Sequence, residues 1–373
     1  MRIGVDARCL EWGRGGVARY LINMLKIWPN ISSEHKFILY FQNFIPDDSF
    51  LKNPFFELRL LKGPSFLRSH RILAEQILMP LQIKKDMLDI FFATWYSAPL
   101  SIGKIKTVVA AWDISYSTNP DHYNWIHRIS LGFFSRKACL KSNGVITCSK
   151  FDAEQIAKYY LVPLNKICTV ALAADKRFNT SLDMTKIRDV NKKYNLPSNF
   201  ILSMGVIHNR RNVDVIIKSF NLLKDDYKTF SLVVVGRNST NPKIDIEGLM
   251  KDLIKEKRAV YIPWIDDNDL PSIYHASRFY ICTSTVDGET LMLKEAMQSG
   301  TPVITSRLLK DTIGGNGLII NNPENISSTS KTLKIAMDMT HERKRLIKDG
   351  VIWTKRITWD RVAKKSLAFL ESR

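Results

Sequence analysis

Short apolar runs alternate with amphipathic segments along nearly the whole chain, and this alternation constrains the fold more than any other feature. The runs are rich in β-branched and aromatic residues, which is typical of buried strands. They include residues 3–5, 37–41, 107–111, 200–204, 231–235, 279–282 and 303–304. Strands that alternate with helices form parallel sheets covered on both faces. The sequence therefore predicts an α/β protein with two doubly wound parallel sheets.

The length of 373 residues is enough for two domains of ordinary size. A polar stretch at residues 176–183 separates the two series of strands and is typical of a linker. We expect a first Rossmann-like domain over residues 1–175 and a second over residues 176–356. The remaining residues, 357–373, contain an amphipathic helix.

The composition indicates a globular protein, since apolar residues make up 45% and charged residues 24% of the chain. Charges at Arg2 and Asp6 interrupt the start of the chain, so we expect no secretory signal there. No window approaches the roughly 20 apolar residues that a membrane helix needs. The five cysteines lack Cys-x-x-Cys spacing, which favours buried free thiols in a reducing cytoplasm.

The net charge of +19 is the unusual number in the composition. The parts before and after residue 175 carry +8 and +11, so the excess is not confined to a tail. A spread positive field favours anionic partners such as nucleotide sugars, anionic lipid surfaces or nucleic acid. The alternative is a lysine-rich protein whose charged faces are simply solvated.

A glycine-rich loop follows the first predicted strand. Gly13, Gly15 and Gly16 lead directly into an amphipathic helix that begins near Val17. Strand, glycine loop and helix together favour phosphate binding, because the first amides of the helix are free to donate. The spacing is not the Gly-x-Gly-x-x-Gly dinucleotide fingerprint, and a plain tight turn is the alternative interpretation.

A second strand–loop–helix unit lies at residues 279–305. The apolar run 279–282 leads into a polar loop with Asp287, Gly288 and Glu289, and a helix is predicted from about Leu291 to Gly300. Ligands of open parallel sheets bind at the carboxyl ends of the strands. The free amides of the helix start, near Thr290 and Leu291, suit phosphate.

This stretch resembles the donor-sugar motif of the GT-B glycosyltransferases, specifically the retaining family four, also called group 1. The matching residues are the acid pair Asp287-x7-Glu295, the following Ala296-Met297 and the segment Gly300-x-Pro302-Val303. Two further segments are similar to the family: Gly15-Gly16-Val17-Ala18-Arg19-Tyr20 and the loop from Gly205 to Arg210-Arg211-Asn212. The chain departs from the family at three positions, which are Asp287 for Glu, Val206 for Arg and Trp112 for His.

The resemblance implies a GT-B fold, with two Rossmann-like domains that face a cleft and a C-terminal helix that packs back on the first domain. It implies transfer of a hexose, with mannose as a candidate, from a nucleotide-diphosphate donor with retention. The acceptor would be a glycan or a lipid-linked glycan, in the synthesis of cell-surface polysaccharide or lipopolysaccharide. The implied location is cytoplasmic, peripheral at the inner face of the plasma membrane.

The resemblance also implies the roles of individual residues. Arg210 and Arg211 would hold the donor diphosphate, Glu295 the ribose hydroxyls, and Asp287 the sugar hydroxyls. Trp112 and Asp113 replace the family's His-Asp pair, so we count Asp113 with the catalytic candidates and Trp112 with the donor-binding ones. The other donor-binding candidates are Gly15, Gly16, Gly205, Gly288, Glu289, Thr290 and Leu291.

The resemblance implies neither a metal nor a cofactor, because arginines and helix amides would meet the diphosphate charge. The acidic run Asp266–Asp269 looks like an Asp-x-Asp metal motif. It precedes an amphipathic helix, so we interpret it as an N-cap cluster instead.

Three other functions stay open at the level of sequence. A non-hydrolysing nucleotide-sugar epimerase would share the fold and would release an epimerised donor without an acceptor. A catalytically idle nucleotide-sugar binder would fit the departures at Val206, Trp112 and Asp287. Nucleic-acid binding is motivated by charge alone, and we expect none, because no motif interleaves aromatic and basic residues.

Overall fold

The computed structural model describes residues 1–13, 15–123 and 125–373, without the side chains of residues 126, 127, 129 and 130. The chain divides into two compact units. The first comprises residues 1–120, 124–172 and 359–373, and the second comprises residues 121–123 and 173–358. Each unit is built on one parallel sheet, so the predicted α/β class with two doubly wound sheets is confirmed.

The described part of the first unit contains seven strands that are apolar and buried over most of their length, as parallel strands covered on both faces must be. They are β1 (Arg2–Asp6), β2 (Lys36–Phe41), β3 (Phe56–Leu60), β4 (Ile90–Ala93), β5 (Lys106–Ala110), β6 (Gly144–Thr147) and β7 (Ile167–Thr169). Their order in the sheet is β3-β2-β1-β4-β5-β6-β7, and all pairs are parallel.

The helices of the first unit connect these strands. They are α1 (Gly16–Ile31), α2 (Ser65–Ser69), α3 (Arg71–Leu73), α4 (Met79–Ile83), α5 (Ser115–Thr118), α6 (Trp125–Lys141) and α7 (Lys150–Tyr160).

The helical segment over residues 65–83 is divided in the structure. His70 takes an extended conformation that separates α2 from α3. A π-turn at Ala74–Leu78 joins α3 to α4. It lies just before Pro80, which has no N–H to donate and whose ring would crowd a regular α-helical turn. Residues 71–83 nevertheless remain helical throughout.

The second unit has six strands, again apolar and mostly buried. They are β8 (Phe200–Met204), β9 (Ser231–Val235), β10 (Ala259–Ile262), β11 (Phe279–Cys282), β12 (Val303–Ser306) and β13 (Leu318–Ile320). Their order is β10-β9-β8-β11-β12-β13, and all pairs are parallel. Two apolar clusters, one on each face, form the core of this unit.

Seven helices cover the second sheet or follow it, and one more returns to the first unit. Those of the second unit are α8 (Met184–Lys193), α9 (Val213–Leu223), α10 (Ile246–Lys255), α11 (Leu270–Ala276), α12 (Leu291–Gln298), α13 (Ile326–Asp338) and α14 (His341–Lys355). The last helix, α15 (Trp359–Glu371), packs on α1. Tyr20 donates its hydroxyl hydrogen to Ser366 Oγ at 2.8 Å, and Trp28 Nε1–H donates to the Ala363 carbonyl at 3.1 Å.

Each sheet reverses its strand order at one point, and these two points determine where ligands can bind. In the first sheet the reversal lies between β1 and β4, and in the second it lies between β8 and β11. The loops that leave two such strands diverge to opposite faces of the sheet, which opens a crevice outside their carboxyl ends. The loops after β1, β4, β8 and β11 therefore lie where ligands of such sheets bind.

Two further predictions concern the whole chain. All five cysteines are free thiols, as the scattered spacing indicated. Within the described residues, no helix combines the length and the apolar character needed to cross a membrane.

Candidate functional site

The loop after β8 depends on two glycines that bring backbone and side chains unusually close together. Gly205 has φ +120°, and a Cβ placed there would lie 2.0 Å from Arg211 Nη1. Gly236 has φ +138°, and a Cβ placed on it would lie 2.0 Å from the Gly205 carbonyl oxygen. Only glycine fits either position. Gly205 therefore acts by letting the Arg211 side chain cross the backbone at the end of β8.

The loops after β8 and β11 are tied together by an ion pair. Arg210 Nε donates to Asp287 Oδ1 at 2.8 Å, and Ser284 Oγ donates to Asp287 Oδ2 at 3.0 Å. Thr285 N–H donates to the Arg210 carbonyl at 3.0 Å. Burial raises the pKa of Asp287, but the charges of Arg210 and Arg211 outweigh burial and hold its pKa below the ordinary value. Asp287 is therefore an anion shared by two arginines.

Arg211 has a donor that the described residues do not use. Its Nε is buried, makes no hydrogen bond to them and lies 4.0 Å from Asp287 Oδ2. Its Nη1 contacts the Met204 carbonyl only at the limit of a hydrogen bond, 3.5 Å. An unsatisfied cationic donor in a buried position is costly unless a ligand accepts from it. Arg211, at the reversal point of the second sheet, is thus suited to an anion.

A residue that the sequence reasoning missed lies in the same loop. His208 precedes the turn that carries Arg210 and Arg211. Burial, and then the charges of the two arginines, lower the pKa of His208 to about 4. Its imidazole is therefore neutral near pH 7 and adds no charge to the arginine pair. Its position between Gly205 and Arg210 in the sequence could have identified His208 as part of this loop.

The helix start predicted at Thr290 and Leu291 is observed, because α12 begins at Leu291 and Thr290 occupies the N-cap position. The Thr290 side chain does not cap the helix, so it leaves the first amides to other acceptors. Gly288 is buried in the preceding loop, and its carbonyl accepts from Thr312 Oγ1 at 3.3 Å.

The two glutamates of this region are both engaged inside the unit. Glu295 is buried on α12, and its Oε2 accepts a hydrogen bond from the Tyr274 hydroxyl at 3.2 Å. Glu289 Oε1 lies 2.7 Å from Lys294 Nζ, and their side chains are 5% and 1% exposed. This buried ion pair was not predicted. Lysine so close to a buried helix face was the signal that could have indicated it.

The remaining site candidates lie in the first unit. Gly15 and Gly16 precede and begin α1, with open space around Gly15. Trp112 is buried, and its indole N–H donates to the Thr94 carbonyl at 3.0 Å. Asp113 accepts from the Tyr96 hydroxyl at 3.0 Å and from Ser115 N–H at 2.9 Å. The indole N–H of Trp112 is thus already used inside the fold.

The acidic run Asp266–Asp269 behaves differently from the predicted N-cap cluster. Asp269 occupies the N-cap position of α11, but its side chain makes no capping bond. It accepts instead from Lys193 Nζ at 2.7 Å and from the Tyr194 hydroxyl at 2.9 Å. The side-chain part of the N-cap interpretation was therefore wrong, because a tertiary ion pair takes the carboxylate. Over the described ranges, no three His, Cys, Asp or Glu residues are grouped as metal ligands would be.

Known glycosyltransferases are similar to this chain in sequence and in fold. The family model for glycosyl transferases group 1 matches residues 184–353. This range contains the loops after β8 and β11, which hold Arg210, Arg211 and Asp287. The O-antigen chain mannosyltransferase B of Escherichia coli is 24% identical over 68% of this chain and 67% of its own length. The serotype-specific mannosyltransferase WbdA of the same organism is 21% identical, but the match spans only 29% of its length.

Solved structures show the same fold over the whole chain. WaaG, a glycosyltransferase involved in lipopolysaccharide biosynthesis, superposes with a TM-score of 0.76 at 16% identity, covering 99% of both chains. HepE of Anabaena, solved in complex with UDP-glucose, superposes with a TM-score of 0.73 at 14% identity, covering 100% of both chains. The predicted GT-B fold is therefore confirmed, and residues 184–353 match the family model for glycosyl transferases group 1.

Proposed function

We propose that this chain transfers mannose from a nucleotide-diphosphate sugar to a glycan or lipid-linked acceptor, with retention, in cell-surface polysaccharide or lipopolysaccharide synthesis. The mannosyltransferase relatives support the sugar, and the UDP-glucose complex of HepE supports a nucleotide-sugar donor. The observation that carries the proposal is the pair Arg210 and Arg211, whose buried Nε on Arg211 lacks a hydrogen-bond partner among the described residues.

The chemistry of such a transfer depends on stabilising the departing diphosphate. Negative charge develops on the leaving oxygen as the anomeric centre becomes cation-like, so donors that are fixed in advance lower the barrier. Arg211 would supply a charged donor through Nε, and Arg210 would add a second charge whose position the ion pair with Asp287 fixes. The amides at Thr290 and Leu291 would add helix N–H groups. No metal enters this scheme.

Retention would follow from attack on the same face of the sugar, with the leaving phosphate accepting the acceptor proton. No side-chain nucleophile is assigned. Glu295 would bind the ribose hydroxyls, in addition to accepting from Tyr274. Asp287 would contact the sugar only through the lone pairs that Arg210 and Ser284 leave open.

The test of this proposal is transfer from radiolabelled donors. The full chain is incubated with GDP-mannose, UDP-glucose or UDP-galactose and a mannose-terminated oligosaccharide or polyprenyl-diphosphate-linked acceptor. We expect labelled product with GDP-mannose, and an α-linkage by NMR. Absence of product with every donor, or a β-linkage, would contradict the proposal. Epimerised nucleotide sugar formed without acceptor would identify the epimerase instead.

One observation favours a second candidate, the idle nucleotide-sugar binder. The position that resembles the family's histidine holds Trp112, whose N–H is already bonded to Thr94. Calorimetry separates the two candidates, because an idle protein binds the nucleotide sugar yet releases neither free nucleotide nor product.

The proposed location at the inner face of the plasma membrane is supported by an exposed apolar stripe on the first unit. We define the apolar stripe as Leu73, Ile77 and Leu81, spaced four residues apart along the helical residues 71–83 and 37%, 43% and 58% exposed. Lys84 and Lys85, exposed at its end, are basic. The acids of this segment, Glu75 and Asp86, are buried. Apolar side chains flanked by lysines suit an anionic bilayer surface.

Binding to vesicles tests the apolar stripe. We expect Leu81→Glu to weaken cosedimentation with phosphatidylglycerol-containing vesicles by about tenfold. The change removes apolar area that the bilayer would bury and adds a negative charge that the anionic lipids repel. Leu222→Glu, the same change at another exposed leucine on the second unit, is the matched control and should bind as the wild type does. Equal binding of both variants, or equal binding to neutral phosphatidylcholine vesicles, would rule out the stripe as an anionic-membrane contact.

A further inference from the structure

The reversal point of the first sheet carries aromatic residues where that of the second carries arginines. Trp12 ends the 3-10 helix Arg8–Trp12 that follows β1. Trp95 lies just after β4, the strand that neighbours β1 at the reversal point. The crevice outside two such strands is where open α/β sheets bind ligands. The two indoles therefore lie at a place that the topology favours for a ligand, and no role has yet been assigned to them.

The two indoles and one arginine form a compact cluster. The ring centroids of Trp12 and Trp95 are 5.0 Å apart, with an edge-to-face angle of 81°. The guanidinium carbon of Arg71 lies 4.5 Å from the Trp95 ring centroid and 5.6 Å from that of Trp12. Arg71 Nη2 donates to the Trp95 carbonyl at 3.1 Å. These contacts hold the guanidinium between the rings, as cation–π attraction favours.

A buried ion-pair network around Arg8 lies next to this cluster and contacts it through the Arg71 carbonyl. Arg8 is 1% exposed, and its Nη2 lies 2.7 Å from Asp6 Oδ2 and 2.5 Å from Glu75 Oε2. Arg8 Nη1 donates to the Arg71 carbonyl at 3.2 Å, and Ser97 Oγ donates to Glu75 Oε2 at 3.0 Å. The network joins the loops after β1 and β4 to the helical residues 71–83. The network thus anchors the backbone of Arg71, whose side chain lies against both indoles.

The exposure of Trp12 indicates what the cluster could bind. Trp12 is 47% exposed, although it contacts Trp95 and Arg71 and tryptophan is usually well covered. Its accessible indole surface can cover the apolar C–H face of a pyranose ring, and the adjacent guanidinium can donate to the hydroxyls at the ring edge. A free anion is a poorer fit, because Asp6 and Glu75 already surround the Arg8 side of the cluster with negative charge.

We propose that Trp12, Arg71 and Trp95 form a hexose subsite that binds the terminal sugar of the acceptor glycan. Trp12 supplies the stacking face, Arg71 donates to the sugar hydroxyls, and Trp95 positions Arg71. This subsite rests on the proposed glycosyl transfer for its place in catalysis, but its binding of sugar does not require turnover.

The test compares sugar binding and kinetics in matched tryptophan variants. Trp12→Ala should raise the KM for a mannose-terminated oligosaccharide acceptor about tenfold and abolish saturation-transfer NMR signals from α-1,2-mannobiose. The KM for the donor should change less than twofold. Trp12→Phe, which keeps an aromatic face, should recover most of the acceptor affinity. Trp264→Ala, at an exposed tryptophan of the second unit, is the matched control and should behave as the wild type.

The outcomes separate this subsite from the proposed function. Wild-type transfer with an acceptor KM that Trp12→Ala leaves unchanged would overturn the subsite and leave the glycosyltransferase intact. Mannobiose binding that depends on Trp12, in a protein that transfers no sugar, would support the subsite and refute the proposed function. Arg71→Lys provides a second variant, since it keeps the charge but loses the planar fork, and it should also raise the acceptor KM. An unchanged acceptor KM in Arg71→Lys would exclude the proposed role of the Arg71 guanidinium.

Discussion

Replacing Arg211 by alanine should lower the rate of sugar transfer by about 10²- to 10³-fold, the usual loss when one fixed donor to a developing negative charge is removed. Arg211 is expected to contribute most to stabilising this charge, because its buried Nε has no hydrogen-bond partner among the described residues. Its removal should therefore break few bonds in the ligand-free protein and one strong bond in the transition state of the proposed transfer. The loss should appear in kcat as well as in kcat/KM.

Two further variants make this result specific. Arg211→Lys keeps the charge but cannot present the guanidinium geometry, so we expect an intermediate rate. Arg188→Ala removes the same charge from an exposed position on α8 and should retain wild-type kinetics. The melting temperature of each variant shows whether the fold is intact. Wild-type kcat in Arg211→Ala would mean that the diphosphate is stabilised by other groups.

The sheets of this protein could be predicted from sequence because their signal is local. Parallel strands buried on both faces are short apolar runs, and the runs at residues 200–204 and 231–235 coincide with β8 and β9. The interruptions were harder to predict. The 3-10 helix Arg8–Trp12 lies within the predicted glycine loop, and an extended residue at His70 separates α2 from α3. Both depend on tertiary contacts that a helical pattern does not record.

The candidate site was predictable in its location and less so in its partners. The loops after β8 and β11 follow from the order of strands, glycines and helix starts. The ion pair between Arg210 and Asp287 joins residues 77 positions apart, and no local pattern encodes it. The bonding of Trp112 was not predictable either. The family resemblance at this position does not indicate that the indole N–H donates to the Thr94 carbonyl.

The pairing of Glu289 with Lys294 leads to the second large effect. Lys294→Ala should destabilise the protein by about 3–5 kcal/mol, because it removes the buried cation that lies 2.7 Å from the Glu289 carboxylate. This corresponds to a fall in melting temperature of roughly 10 °C for a domain of this size. The double variant Glu289→Gln/Lys294→Met, which removes both charges and keeps similar volumes, should recover most of this loss. Differential scanning calorimetry of the three proteins measures both effects.

The same variants decide what Glu289 does. If Glu289 contributes only through the buried ion pair, the double variant should keep the donor KM of the wild type once its stability is restored. If the carboxylate also contacts the donor sugar, as the resemblance implied, the double variant should fold well and still bind the donor weakly. The ion-pair geometry, with a 2.7 Å contact and side chains at most 5% exposed, favours the first result. A Lys294→Ala protein as stable as the wild type would contradict the ion pair itself, because a buried carboxylate cannot lose its cation at no cost.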